Sequence, residues 1–223
     1  MQTFSCDIET DGLNPSVIWC IVLQDVHDNQ IIAFHGDSLN LFKPYIESEA
    51  MALVFHNGID FDIPVLERLL GIDFTDIDIE DTLVMSQLDE PRREGGHSLS
   101  SWGEFMGFEK GEHEDWSKFS QEMLEYCKRD VQVTTKLYKL MMQKGLSKDA
   151  KQLEYATKKQ CSLQERTGWM FDNHGAMILL QQINEDLRRA EEEVHKTFKP
   201  LPIWRSKQPV KNKFKKNNTR TKG

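Results

Sequence analysis

Phe4-Ser5-Cys6-Asp7-Ile8-Glu9-Thr10-Asp11-Gly12 reads as a short apolar strand that carries two carboxylates and stops at a glycine turn. Side chains alternate along a strand, so Asp7 and Glu9 share one face while Phe4, Cys6 and Ile8 share the other. Two like charges held a few Å apart repel by roughly 4 kcal/mol at an effective dielectric of about 20. A fold that keeps such a pair together supplies a counter-charge, and a divalent cation is the simplest one. The alternative is a solvated pair on an exposed strand face. The choice between the two rests on whether the rest of the chain brings more ligands.

Working outward, residues 16–26 (SVIWCIVLQDV) form an apolar, β-branched run, and Asp28-Asn29 offers a turn into 30–35 (QIIAFH). Together with the first strand these predict an antiparallel meander that opens a mixed sheet. Residues 39–49 are amphipathic enough for a helix interrupted by Pro44. Residues 52–56 are a short buried strand ending at Asn57-Gly58, and 61–70 (FDIPVLERLL) have helical spacing with a stop at Gly71. Residues 79–88 run from a strand into a helix, 90–96 form a charged, glycine-containing loop, and 99–106 form a short helix. A polar, irregular stretch follows through Lys118. Ser120 caps the strongest helix, 121–144, whose apolar positions include Met123, Leu124, Cys127, Val131, Leu137, Leu140 and Met141. Two charge-rich helices at 148–166 and 173–198 complete the pattern. Strands and helices in this succession predict an α/β layer fold with a C-terminal helical extension and a boundary near residue 148.

A chain of 223 residues and 26.0 kDa can bury an adequate core. It contains no apolar run of membrane-spanning length, and its first residues enter a strand rather than a signal peptide, so the expectation is a soluble, cytoplasmic monomer. Cys6, Cys20, Cys127 and Cys161 lack metal-binding spacing and read as reduced cysteines, which argues against zinc. The net charge of −8 hides an asymmetry. The last 19 residues, 205–223, hold eight Lys or Arg and no acid, leaving 20 basic against 36 acidic side chains, or −16, in the preceding 204. An acidic body argues against tight nonspecific duplex binding, which depends on phosphate neutralisation. The basic tail reads either as a nucleic-acid-contacting arm or as a disordered solvated end.

Three further pieces bear on the first strand. In His56-Asn57-Gly58-Ile59-Asp60-Phe61-Asp62, a strand end delivers Asn57 and then Asp62 at the opening of a helix, where a carboxylate is favoured by the helix dipole. In Glu125-Tyr126-Cys127-Lys128-Arg129-Asp130, Tyr126 and Asp130 lie four residues apart on one helix face, at the edge of a stripe formed by Val133, Thr134 and Leu137. Each piece alone fits an ordinary surface arrangement. Their order and spacing do not. A strand D-x-E, a later Asp after N-G-x-x-[FY], and a helical Y-x-x-x-D resemble the DEDDy subgroup of the DnaQ-like, ribonuclease H-like 3′-5′ exonucleases. The likeness is greatest to the proofreading domain at the N-terminus of bacteriophage family A DNA polymerases. Val54-Phe55-His56-Asn57-Gly58, Asp81-Thr82-Leu83-Val84-Met85-Ser86, His97-Ser98-Leu99 and Trp102-Gly103 extend it.

The resemblance implies a ribonuclease H-like mixed sheet flanked by helices. Residues 1–147 would be the exonuclease domain, 148–204 a helical extension similar to the link to a polymerase thumb, and 205–223 a basic tail. Gln164-Glu165-Arg166-Thr167-Gly168 belongs to the link. The implied reaction is hydrolysis of the terminal phosphodiester at a single-stranded or frayed DNA 3′ end, releasing a nucleoside 5′-monophosphate. Oxygen-only ligands favour two Mg²⁺ or Mn²⁺ ions, about 4 Å apart in sites of this kind. Asp7 would bridge them, Glu9 and Asp130 would complete the ion that activates water, and Asp62 would hold the other through its water shell. Tyr126, whose phenol has an ordinary pKa of about 10, is a poor base at neutral pH. Its implied task is to orient the attacking water. Leu13 and Phe61 are candidates to stack on the last bases without sequence preference, with Thr10 and Asn57 as further substrate-binding residues.

The chain carries no polymerase motifs, so the resemblance leaves the polymerase partner either in the same original chain or in a separate one. If phage-encoded, the protein acts in the host cytoplasm. His97 reads as structural because Tyr126 fills the position of the third motif, and Asp81 reads as a helix cap. The rival readings are an RNA-trimming 3′-5′ exoribonuclease and a non-catalytic exonuclease-like docking module. The latter would be marked by a missing motif carboxylate, and none is missing.

Overall fold

The computed structural model describes residues 2–108, 113 and 115–199. β1 (Gln2–Thr10), β2 (Ile18–Asp25) and β3 (Ile31–His35) form the expected antiparallel meander. β4 (Ala50–Phe55) and β5 (Asp78–Asp81) add in parallel on the other side of β1, giving a five-stranded sheet in the order β3-β2-β1-β4-β5. The alternating strand at the start of the chain is thus the central one. Its register slips between Glu9, opposite Cys20, and Thr10, opposite Ile18. A bulge at the end of a strand re-aims the side chains beside it.

Both faces of the sheet are covered, which is why β2 is buried almost throughout instead of alternating. On one face Phe4, Cys6, Ile8, Ile21, Leu53 and Phe55 pack with Phe42 and Ile46 of α1 (Phe42–Glu49) and with Ile63 and Leu66 of α2 (Asp62–Leu70). α3 (Thr82–Asp89) and α4 (Leu99–Phe105) follow β5 in the chain. On the opposite face Cys20 and Val22 meet Met123, Leu124, Cys127 and Val131 of α5 (Gln121–Gln143). Further along α5, Val133, Leu137 and Met141 hold Met85 of α3 and Leu99 and Trp102 of α4. Thr135 Oγ1 lies 2.8 Å from each of Ser5 Oγ, Gln24 Oε1 and Val131 O, so a buried polar link fixes how far α5 can slide along β1 and β2. Ser120 caps α5 as expected, its hydroxyl accepting from the Met123 amide at 3.1 Å.

The helix expected over 39–49 is divided. A 3-10 segment covers Gly36–Leu41, and α1 begins only at Phe42, which puts Pro44 in its first turn. Amide groups of a first turn have no partner within the helix, so the missing N–H of proline costs little there.

The compact first unit runs through Gly168. It takes in α6 (Lys148–Thr167), two of whose lysines, Lys151 and Lys158, are docked on the unit. Lys151 Nζ donates to Glu80 Oε1 at 2.6 Å and Oε2 at 2.8 Å, and the Tyr155 hydroxyl donates to Glu80 Oε2 at 2.7 Å. Lys158 pairs with Asp60. The second unit begins at Trp169 and contains α7 (Asn173–Thr197), capped by Asp172, which accepts from the Gly175 amide at 2.9 Å. Its ion pairs, Arg188–Glu192 and Arg189–Asp186, are internal to the helix, and it buries no residue. The basic tail at 205–223 lies outside the described residues, as do 109–112 and 114 of the irregular stretch. Among the described residues no helix is long and apolar enough to cross a membrane.

Candidate active site

β1 sorts its side chains as its alternation requires. Phe4, Cys6 and Ile8 enter the core under α1 and α2, while Ser5 and Asp7 meet α5 on the other face. Ligand atoms of Asp7, Glu9 and Cys127 all lie within 4.8 Å of one another. Cys127 Sγ is 3.3 Å from Asp7 Oδ2 and 3.4 Å from the Asp7 backbone oxygen. Burial pushes the Cys127 thiol well up, with Cys20 and Asp7 adding to the effect, so it remains an S–H and donates to the carboxylate.

Asp62, outside that 4.8 Å group but near enough to raise the Asp7 carboxyl, is brought in by a different route. After β4 the chain turns through Asn57, whose φ of 69° is left-handed, and Gly58, where an added Cβ would lie 2.3 Å from Phe55 Cβ. The turn is held from outside by Asp81, the last residue of β5, which is completely buried. Its carboxylate accepts from the amides of Asn57 at 3.0 Å and Ile59 at 3.2 Å, and from Leu83 at 3.0 Å and Val84 at 3.5 Å. Asp81 is therefore the cap of α3 expected from the sequence and also a brace for the β4–α2 turn. Burial raises its pKa, and those four amides pull it back. Thr82 adds a second brace, its hydroxyl donating to Phe55 O at 3.0 Å and lying 2.9 Å from His56 Nδ1.

α5 brings the last two residues. Asp130 is buried, and Tyr126, one turn earlier, is partly exposed. The Tyr126 ring meets Trp116 edge-on, with centroids 5.8 Å apart at 84°, and His113 at 6.2 Å. Trp116 is anchored in turn, its backbone oxygen accepting from Trp19 Nε1 at 3.0 Å. The irregular stretch before α5 thus supplies the wall against which the tyrosine rests.

The acids act on one another electrostatically. The Asp7 carboxyl is pushed well above the usual carboxylate range, first by burial and then by Glu9, Asp130 and Asp62, against a smaller pull from the Cys127 thiol. Asp62 is pushed up to about 7, chiefly by burial, with Asp81 and Asp130 adding to it and the amides of Asp62 and Ile8 restraining it. The buried Cys6 thiol is raised by the same field, from Asp62 and Asp7. Like charges gathered behind apolar walls are stable only when protonated or neutralised by cations. An oxygen-rich donor set of this kind fits a hard divalent cation.

A family model described as a 3′-5′ exonuclease matches residues 1–146, well over half of the chain. The chain belongs to this 3′-5′ exonuclease family. The DNA-directed DNA polymerase of Escherichia phage T7 is 25% identical over a 263-residue alignment that covers 87% of this chain and 37% of the polymerase. The exonuclease therefore spans well under half the length of that relative. Brucella melitensis NrnC with bound Mg²⁺ has a similar structure, with a TM-score of 0.57 at 21% identity over 78% of this chain and 91% of that one. Trypanosoma brucei RNase D has a TM-score of 0.50 at 15% identity over 63% of this chain and 57% of the other. Likeness at these identities concerns the fold, which is the ribonuclease H-like mixed sheet flanked by helices.

The remaining residues singled out in the sequence have the following surroundings. Thr10 is buried, and its hydroxyl donates to Gly12 O at 3.0 Å, closing the turn after β1. Asn57 Oδ1 is buried without a hydrogen bond among the described residues. Leu13 and Phe61 line one groove of about 430 Å³. His97 Nδ1 lies 2.6 Å from Ser86 Oγ, which accepts from Trp102 Nε1 at 2.9 Å. Sequence reasoning missed Cys127, Trp116 and the bracing role of Asp81. Cys127 was accessible to it, because positions 127 and 130 of one helix face the same strand.

Proposed function

We propose that this exonuclease removes nucleoside 5′-monophosphates from single-stranded or frayed DNA 3′ ends, using two divalent cations, Mg²⁺ or Mn²⁺. The observation that supports the reading is the mutual electrostatic pressure among Asp7, Glu9, Asp62 and Asp130, which come from β1, α2 and α5. In this reading Asp7, Glu9, Asp62 and Asp130 hold the cations. Bound there, the cations supply Lewis-acid polarisation of the phosphodiester and charge stabilisation on the leaving oxygen.

The rest is the work of side chains. Tyr126, kept upright by Trp116, orients the attacking water through its phenol oxygen. The apolar walls of Leu13 and Phe61 receive the terminal bases by stacking, which is indifferent to sequence. Asn57 and Thr10 shape the turns on either side. A mispaired end costs less to unstack, so it reaches the carboxylates more often, and discrimination follows from fraying.

The share of the T7 polymerase that the chain covers supports placing the exonuclease as the proofreading part of a phage DNA polymerase, with the polymerase in the same or a separate chain and the work done in the host cytoplasm. In that arrangement 1–147 carries the chemistry, 148–204 leads toward a polymerase thumb, and 205–223 is a basic tail. The deciding experiment incubates a 5′-labelled single-stranded DNA oligonucleotide, and its RNA counterpart, with Mg²⁺ and with chelator. A Mg²⁺-dependent ladder shortening from the 3′ end of the DNA is expected. Preferential shortening of the RNA overturns the substrate assignment, and no shortening of either overturns the reaction.

A further inference from the structure

The turn between β1 and β2 holds an apolar side chain out in water. Leu13 is 94% exposed, yet the residues around it are fixed on every side. Asp11 Oδ1 accepts from the amides of Ser16 at 2.8 Å and Val17 at 3.1 Å, and its Oδ2 accepts from the Ser16 hydroxyl at 2.6 Å. The Asp11 amide returns a bond to Val17 O at 3.2 Å. Within this closed turn Pro15 is the residue that is buried. Its carbonyl accepts from Arg68 Nη2 at 2.6 Å, across 53 positions of sequence.

Arg68 belongs to α2, the helix whose first residue is Asp62. One helix therefore sets both a carboxylate of the candidate centre and the turn that carries Leu13. Leu13, Asn14, Pro15, Phe61, Pro64 and Arg68 together line the groove of about 430 Å³, which begins beside Asp62 in the chain. An exposed leucine on a floppy turn would collapse onto the nearest apolar surface. A leucine on a braced turn stays available to a base without an ordering cost at the moment of binding.

We propose that Arg68 is the positioning residue of a preset wedge: it fixes the 11–17 turn so that Leu13 stands over the groove beside Phe61 and the last bases of a substrate strand stack there. This rests on the reading of the groove as the path of a DNA 3′ end. Arg68 touches no reacting atom. It acts through Pro15 and Leu13, and that dependence is what separates it from a merely structural tie.

The test measures binding of a 5′-fluorescein single-stranded hexadeoxynucleotide in chelator by anisotropy, and its digestion in Mg²⁺, for Arg68→Ala, Arg68→Lys, Leu13→Ala and the Arg68→Ala/Leu13→Ala double variant. Loss of one stacking contact corresponds to a weakening of about tenfold. Arg68→Ala and Leu13→Ala are each expected to raise Kd and KM by that factor, with turnover at saturation falling less than threefold. The double variant is expected to be no worse than the weaker-binding single one, and Arg68→Lys to recover part of the loss, because an ammonium can still donate to Pro15 O. Multiplying effects in the double variant overturn the proposal, as does a fall in turnover with Kd unchanged. Unaltered binding by Leu13→Ala, whose exposed side chain cannot unfold the protein, overturns it too. Wild-type protein that binds the oligonucleotide without shortening it defeats the exonuclease reading alone, and the Kd comparison still decides this one.

Discussion

Asp7 and Asp62 face the same cluster of charge, but the chain brings them there by unequal means. Asp7 lies in the middle of the central strand, where the period of two and the burial of Phe4, Cys6 and Ile8 leave it one direction to point. Asp62 starts a helix after an irregular turn, and that turn keeps its shape because Asp81, from another strand, holds two of its amides. The first carboxylate is placed by local periodicity, the second with the help of a buried acid from another strand. Removing the chemistry and removing the placement are therefore different experiments.

The largest effect is expected where chemistry is removed. Asp7→Ala or Asp130→Ala should lower turnover by about a thousandfold or more while circular dichroism shows the fold retained, since on the proposed reading these carboxylates hold cations and act as a unit. Near-normal rates in Mg²⁺ would sink the cation reading. Asp81→Ala attacks placement instead. It strands the Asn57 and Ile59 amides and should cost about 2–4 kcal/mol in denaturant melts. Turnover should also fall about a hundredfold as Asp62 drifts. If Asp81→Ala melts early but turns over normally, the turn positions Asp62 without help and the contrast with Asp7 disappears.

A third test sharpens the contrast through pH. Asp62 has a folded pKa of about 7 against an ordinary carboxylate value of 3.8, so the folded state binds more protons across that window. Stability of the metal-free protein should then fall as pH rises from about 4 to 7, by on the order of 4 kcal/mol from this group. Thermal melts in chelator should drop between pH 5 and pH 8, and Mg²⁺ should restore most of the loss at pH 8. A flat profile would mean that the acids are less crowded than described. The smallest effect is expected from Tyr126→Phe, about a tenfold loss of turnover with Mg²⁺ binding by calorimetry unchanged. Equal turnover would leave the hydroxyl without a task.

What was legible in the chain beforehand follows the same division. The meander, the placement of Asp7 and Glu9, and the cap and stripe of α5 could be read because strands and helices have fixed periods. Asp81 was read as a cap because its bonds to Leu83 and Val84 are local, whereas those to Asn57 and Ile59 depend on β4 and β5 lying side by side. Trp116 sat in a stretch without any period. The charge-rich helix at 148–166 read as part of an extension because Glu80 and Asp60, which receive its lysines, are far away in sequence.

That last feature bears on where the polypeptide can be severed. Glu80 is on the strand that ends in Asp81, and Asp60 is two residues before Asp62, so α6 grips the scaffold at both places from which Asp62 is set. Cleavage after residue 147 would strip three side chains from that grip and loosen the loop that leads into Asp62. A shortened gene ending at Gly168 keeps the clasp closed, and a comparison of the two truncations would reveal whether residues 1–147 can stand without it.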